Sequence, residues 1–182
     1  MKYLIACLLF VLSFSSVLAE EETKAHFWQN EEGVVEMKLE VNGFGNNQKI
    51  PSEYTCDGKD ASPEIKWSGA PEGTKSFALS VIDPDAPMGD FVHWLIYDIP
   101  KDCAVIPKGG PLPPGAKETG NDFGKSSYGG PCPPSGTHRY FFTLYALDKE
   151  HLEEVKSKNF REKVKESTIA SAEVIGLYSR GR

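Results

Sequence analysis

The chain has 182 residues, 40% of them hydrophobic and 11% aromatic, enough to bury one sizeable core but not to build several ordinary domains. Its 20 Lys and Arg against 26 Asp and Glu give a formal charge of −6, and no basic run could follow a phosphate backbone, which argues against a nucleic-acid partner. Charged residues at 25%, with aromatics spread along the length, also exclude a wholly disordered chain and a coiled coil.

Lys2 precedes an apolar run from Leu4 to Leu12, and Val17-Leu18-Ala19 stands just before Glu20, Glu21 and Glu22. The run is about half of what a bilayer-spanning helix needs, and small residues end it, so residues 1–19 read as a signal peptide cleaved after Ala19. The expected product is an acidic exported protein, periplasmic or extracellular, with no membrane span. Residues 20–32 read as a flexible acidic lead-in, and 33–182 as a single domain.

Val35, Met37, Leu39 and Val41 alternate with Glu36, Lys38 and Glu40, a period of two that describes a strand with one wet face. Asn42 to Asn47, with two glycines, reads as a turn or loop. Ile65 and Trp67 suggest a short strand, Phe77 to Ile82 a stronger one, and Phe91 to Ile99 a central strand apolar on both faces. Pro107 to Gly136 holds half of the Gly and Pro and shows neither period; a loop of that length between strong strands is expected to be functional. Arg139 to Leu147 is the fourth clear run, dense in aromatic and β-branched residues. After Asp148 the chain turns to Glu, Lys and Ala, with Leu152, Val155, Phe160, Val164, Ile169, Val174 and Ile175 at roughly helical spacing. A C-terminal helical segment packed on the sheet is the expectation.

Cys7 leaves with the signal, so Cys56, Cys103 and Cys132 remain and at least one thiol is left over. A Cys56–Cys132 bridge is the preferred pairing in an oxidising compartment, because both lie in Gly/Pro-rich loops; three unpaired thiols is the alternative. No cysteine pair has the short spacing of a zinc or dithiol redox site, and no cofactor motif is present.

Asp83 continues the parity of Phe77, Leu79 and Val81 at a strand end, and Pro84-Asp85-Ala86-Pro87 stiffens the turn that follows. His93 sits near the start of an apolar strand; His138 opens another, sharing its parity with Tyr140. Each alone reads as a turn acid or a hydrogen-bonded structural histidine. If the sheet joins the three strand ends, the carboxylate accepts one imidazole N–H. The other ring nitrogens, the Tyr140 hydroxyl and backbone N–H groups around Gly129, Gly130 and Gly136 would then form a donor-lined cup for an anion such as phosphate. Three other readings compete: a hydrolase with His93 or His138 as general base oriented by Asp83, a divalent-metal site short of protein ligands, and an exported protease inhibitor presenting the proline-rich loop Pro107 to Pro134. A Gly-x-Ser-x-Gly elbow, a phosphate-binding loop with its Lys and a His-Glu-x-x-His helix are all missing, so the expectation is a binding protein rather than an enzyme.

Several segments together resemble the phosphatidylethanolamine-binding protein family: Ser62-Pro63 with Trp67, Gly73-Thr74-Lys75-Ser76-Phe77, Asp83-Pro84-Asp85-Ala86-Pro87, His93-Trp94, Tyr128-Gly129-Gly130-Pro131 and Gly136-Thr137-His138-Arg139-Tyr140. The chain is most similar to the bacterial and archaeal Raf-kinase-inhibitor-like branch, of the YbhB and YbcL type, from about Gly43 to Tyr178. The resemblance implies a mainly β fold, a sandwich of one large and one small sheet with a C-terminal helical segment. It also implies an anion pocket comprising Asp83, Asp85, Pro87, His93, Gly130, Pro131, His138 and Tyr140, with Tyr178 a weaker candidate. Family members bind phosphate-bearing groups, including phospholipid headgroups, and several regulate kinases or proteases by binding them. The implied partner is therefore a phosphate-bearing small molecule, a phospholipid headgroup or a phosphorylated protein.

Overall fold

The computed structural model describes residues 36–181; the expected signal peptide and lead-in lie outside them. The chain forms β1 (Lys38–Val41), β2 (Gln48–Lys49), β3 (Ile65–Ser68), β4 (Ser76–Asp83), β5 (Phe91–Pro100), β6 (Val105–Ile106), β7 (Lys117–Glu118), β8 (His138–Leu147), α1 (Phe160–Lys165) and β9 (Thr168–Tyr178). A small antiparallel sheet has the order β1-β3-β6, and a large one the order β2-β9-β8-β4-β5-β7, with only β2 and β9 parallel.

One face of the large sheet carries Phe77, Leu79 and Val81 of β4, Trp94 and Ile96 of β5, and Tyr140, Phe142 and Leu144 of β8, all buried in one cluster with Ile65 and Trp67 of the small sheet. Trp67 meets Phe77 edge-on at 5.3 Å, and Phe44 meets Phe142 at 5.5 Å, so aromatic contacts bridge the layers. Burying side chains of this size stabilises the fold by about 1.5–3 kcal/mol each. The opposite face carries Ala78, Leu95 and Leu147, covered by Leu152, Phe160 and Val164 from the segment after β8. Burial on both faces explains why β4 and β5 read as continuous apolar runs.

The C-terminal expectation needs correction. Leu152, Val155, Phe160 and Val164 do cover the sheet, but the helix is a single short one, and Ile169, Val174 and Ile175 belong to the 11-residue strand β9, paired along the whole of β8. Val174, Gly176 and Tyr178 are buried while Ile169, Ser171 and Glu173 are exposed, a period of two that Ala170, Ala172 and Glu173 disguise through their helix preference. Tertiary pairing with β8 outweighs that local preference. At Gly176 an added Cβ would stand 2.6 Å from Ile50, so close packing of β9 against that side chain requires glycine.

The long loop is not structureless either. β7 pairs Lys117 with Tyr97 and Glu118 with Ile96, and Asn121 stitches the remainder to the sheet edge. The Asn121 side-chain amide donates to the carbonyls of His93 and Ser127, and its oxygen accepts from the N–H groups of Phe123 and Lys125. Asp122 accepts the Val92 N–H at 2.7 Å. Cys56 and Cys132 form a disulfide with Cα atoms 5.4 Å apart, and Cys103 is free and half-buried.

Candidate functional site

The end of the large sheet where β4 runs out, β5 begins and β8 begins collects the polar side chains. Asp83 holds its strand parity to the last residue and therefore points to the inner face beside Tyr140, one step beyond the Ile82–Phe141 pair. His93 arrives there by an irregularity. Val81 pairs with Trp94 and Ile82 with Val92, which leaves His93 as an extra residue on β5. This bulge turns the consecutive side chains of His93 and Trp94 to the same face, whereas strict alternation would send one of them to the outer face. His93 then meets Tyr140 edge-on at 5.1 Å, and Trp94 meets Tyr128 at 5.4 Å.

The hydrogen bonds fix the chemistry of each group. His138 Nδ1–H donates to Asp83 Oδ2 at 2.7 Å, and the other carboxylate oxygen accepts the Asp85 N–H at 2.8 Å. His93 Nδ1–H donates to the Gly129 carbonyl at 2.6 Å. Asp83, His93 and His138 are all buried. Burial holds the His93 ring below the usual imidazole pKa, although the Gly129 carbonyl and the charges of Asp83, Asp60 and Asp122 oppose it. Tyr140 has no exposed surface, and its hydroxyl has no partner at normal hydrogen-bond geometry among the described residues. Burial, the negative charge of Asp83 and a weak, long hydrogen-bonding interaction with the Asp83 carboxylate push that hydroxyl far above the usual phenol range, so it stays protonated and able to donate.

The other expected pocket residues have different roles. Asp85 takes Arg139 in a fork, with Nε at 2.9 Å and Nη2 at 2.7 Å, and also accepts the Arg139 backbone N–H at 2.9 Å. The guanidinium lowers the Asp85 carboxyl to about 2. Asp85 therefore pins the start of β8 to the β4–β5 turn and positions His138 instead of lining the recess. Pro87 is exposed in that turn. The Gly130 N–H donates to Asp60 at 2.6 Å and the Gly129 N–H to the His93 carbonyl at 3.1 Å, so these two glycines do not supply the expected anion donors. The Pro131 carbonyl accepts from Cys56 N–H at 3.2 Å, next to the disulfide. Tyr178 stands opposite His138 in the β8–β9 register, but its hydroxyl donates to Asp57 at 2.8 Å, and Arg180 binds the same carboxylate.

Three residues that sequence reasoning did not single out shape the site. Asp60 anchors Gly130, Asn121 holds the loop beneath His93, and Phe123 covers His93. The Phe123 ring stands edge-on to His93 at 5.2 Å and to Phe91 at 4.9 Å, and is 43% exposed. An isolated aromatic among glycines and polar residues was the one available signal for it. Two hollows, of about 360 and 210 Å³, lie elsewhere, lined in part by Glu40, Glu64 and Lys66 and by Ser80, Phe141 and Arg161 respectively. The Asp83–His138 group lines neither, and Phe123 stands against His93 beside it.

Residues 40–179 match the family model described as phosphatidylethanolamine-binding protein. A UPF0098 protein of Aquifex aeolicus is 47% identical over 152 residues, covering 79% of this chain and 89% of that protein. One from Methanothermobacter thermautotrophicus is 46% identical over 151 residues, covering 80% of this chain and all of that one. The crystal structure of Escherichia coli YbcL, described as a new member of the mammalian PEBP family, superposes with a TM-score of 0.76 at 33% identity, covering 80% of this chain and 99% of YbcL.

Proposed function

Since this chain belongs to the phosphatidylethanolamine-binding protein family, we propose that it works by binding a phosphate-bearing group at the Asp83–His138 end of the large sheet, and acts as a regulator or inhibitor through that binding. The observation that carries the reading is the Tyr140 hydroxyl, buried and without a partner beside a buried Asp–His pair and a second imidazole. An orphaned buried hydroxyl costs about 1–3 kcal/mol, a penalty that a bound oxygen acceptor would remove. Phe123, half-exposed, stands edge-on to Phe91 and His93 at the solvent side of this end of the sheet.

Recognition without turnover is favoured because, among the described residues, no serine or threonine hydroxyl and no cysteine thiol hydrogen-bonds to either imidazole. The free ring nitrogens therefore have no protein nucleophile to activate. The Cys56–Cys132 bond supports a location in an oxidising compartment, outside the cytosol. Among the described residues no helix is long and apolar enough to cross a membrane, and the ligand would be a small molecule, a headgroup or a phosphorylated side chain reaching the recess from water.

The test is a melting curve with and without phosphoethanolamine. The expected outcome is a rise of several degrees that His138→Ala abolishes; an unchanged curve for the wild-type protein at millimolar ligand would refute the reading.

A further inference from the structure

The outer face of the large sheet gathers a second set of side chains, away from Asp83 and His138. Cover on that face, from the segment after β8, lies over Ala78, Leu95 and Leu147. One step further along β4 stands Ser80, and beyond it Ile82; with β8 and β9 they set out two rows across the sheet. Ser80 pairs with Thr143 and Thr143 with Glu173, a polar row, while Ile82 pairs with Phe141 and Phe141 with Ile175, an apolar row about 7 Å away. At the rim Arg161 of α1 donates to Asp90 of the β4–β5 turn at 2.7 Å. These groups line the hollow of about 210 Å³. Drug-sized ligands fill about 300–1,000 Å³, so this one has room for a single ring.

A wet sheet face presents its polar side chains to water, whereas Ser80 lines the hollow while only 2% exposed, with one bond, 3.3 Å to the Tyr145 hydroxyl. Whichever of the two donates, one hydroxyl hydrogen is left over. The Thr143 hydroxyl donates to Glu173 Oε2 at 2.8 Å, which leaves its own lone pairs and Glu173 Oε1 as acceptors. Asp90 gives Arg161 one oxygen and keeps the other, and Arg161 has further N–H groups to donate. Asp90 and Glu173 against Arg161 give the lining a formal charge of −1, which disfavours an anion. Arg139 lies over the Phe141 ring at 5.6 Å, but its charge is taken by the Asp85 fork. An ammonium group, with donors alone, would answer the acceptors and leave Arg161 and the spare hydroxyl hydrogen unmet. A ring carrying several hydroxyls gives and accepts at each one, and its C–H face suits Ile82 and Phe141.

We propose that this hollow binds one sugar ring, as a free monosaccharide or as the end residue of a glycan. The carboxylate oxygens of Glu173 and Asp90 accept its hydroxyl hydrogens, Arg161 and the Ser80–Tyr145 pair donate to its oxygens, and the Ile82–Phe141 row takes its apolar side. The site shares no residue with the Asp83–His138 group and stands whether or not phosphate binds there.

The test follows the backbone amide signals of the isotope-labelled intact protein by NMR during titration with glucose, galactose, mannose, N-acetylglucosamine, cellobiose and chitobiose, with phenethylamine as the ammonium probe. The expected result is saturable shifts centred on Ser80, Thr143 and Glu173 for at least one sugar, with a dissociation constant of about 10 mM or tighter. Glu173→Gln, whose carboxamide is a weaker acceptor, should lose about tenfold or more in affinity. The Glu173 side chain is exposed, and signals away from the hollow that match wild type establish that this variant is folded. A disaccharide that binds more tightly than its monosaccharide supports the proposal with a glycan end as the source; equal or weaker binding supports it with a free sugar. Four results overturn it: no sugar shifting these signals, shifts centred elsewhere, phenethylamine binding here more tightly than every sugar, or unchanged affinity in Glu173→Gln. None of them bears on the phosphoethanolamine melting curve, so the two readings fail separately.

Discussion

Replacing Tyr140 by Phe separates the cost of the buried hydroxyl from its use. In the free protein the hydroxyl is fully buried with no partner at normal hydrogen-bond geometry and only a weak, long interaction with Asp83, so its removal deletes a desolvation penalty without deleting a well-formed hydrogen bond. The ring contacts survive, including the edge-on approach to His93 at 5.1 Å. Stability should therefore be unchanged or rise by about 1 kcal/mol, toward the lower end of the range for an unsatisfied group. Ligand binding should respond in the opposite direction. A hydrogen bond to a charged acceptor contributes about 1.5–3 kcal/mol, so phosphoethanolamine affinity should fall by roughly 10- to 150-fold. Urea denaturation measures the first effect and calorimetric titration the second, on the same two proteins. A variant destabilised by more than about 1 kcal/mol would mean that the hydroxyl has a partner within the fold, and a variant that binds as tightly as wild type would mean that it does not face the ligand; either result refutes the argument.

Asp85→Asn should lower the melting temperature by a few degrees at neutral pH, by loosening the start of β8. Because the folded carboxyl is depressed to about 2, its stabilising effect is present above the unfolded value near 4 and lost as pH falls toward 2. Melting curves of the two proteins should therefore converge in acid, and a constant gap down to about pH 2 would contradict the assigned role. The Cys56→Ser, Cys132→Ser double variant should lose up to about 4 kcal/mol in denaturant unfolding, the chain-entropy value for a bond closing a 76-residue separation. Unfolding that coincides with wild type would show that the bond constrains nothing.

The site was legible in the sequence where local pattern and tertiary structure agree. Asp83, His138 and Tyr140 follow from strand parity, because a period of two fixes the face once the strand is recognised. His93 was named from its place near a strand start, but strand parity does not explain its position, which depends on a bulge seen only against its partner strand. Asp85 and Gly130 were named for the wrong role. Whether a carboxylate or an N–H is available to a ligand depends on what else reaches it, here Arg139 from β8 and Asp60 from a distant loop. Phe123 and Asn121 carry no periodic signal in a Gly/Pro-rich stretch, so their place over and under His93 could not be read from spacing.

The chain's own pattern determined the main strands before β9 and placed an acid and two histidines at strand ends, because alternation of apolar and polar residues is written locally, whereas the arrangement in two sheets was implied only by the family resemblance. It did not determine the last strand, since Ala and Glu at residues 170–173 favour a helix until β8 offers ten residues' worth of backbone partners and a core face. Nor did it determine the polarity of the recess. Donor or acceptor character at an imidazole or a glycine is set by the partner each has already taken. Those partners lie 36 residues away for His93 and Gly129, 55 for His138 and Asp83, and 70 for Gly130 and Asp60, separations that only folding closes.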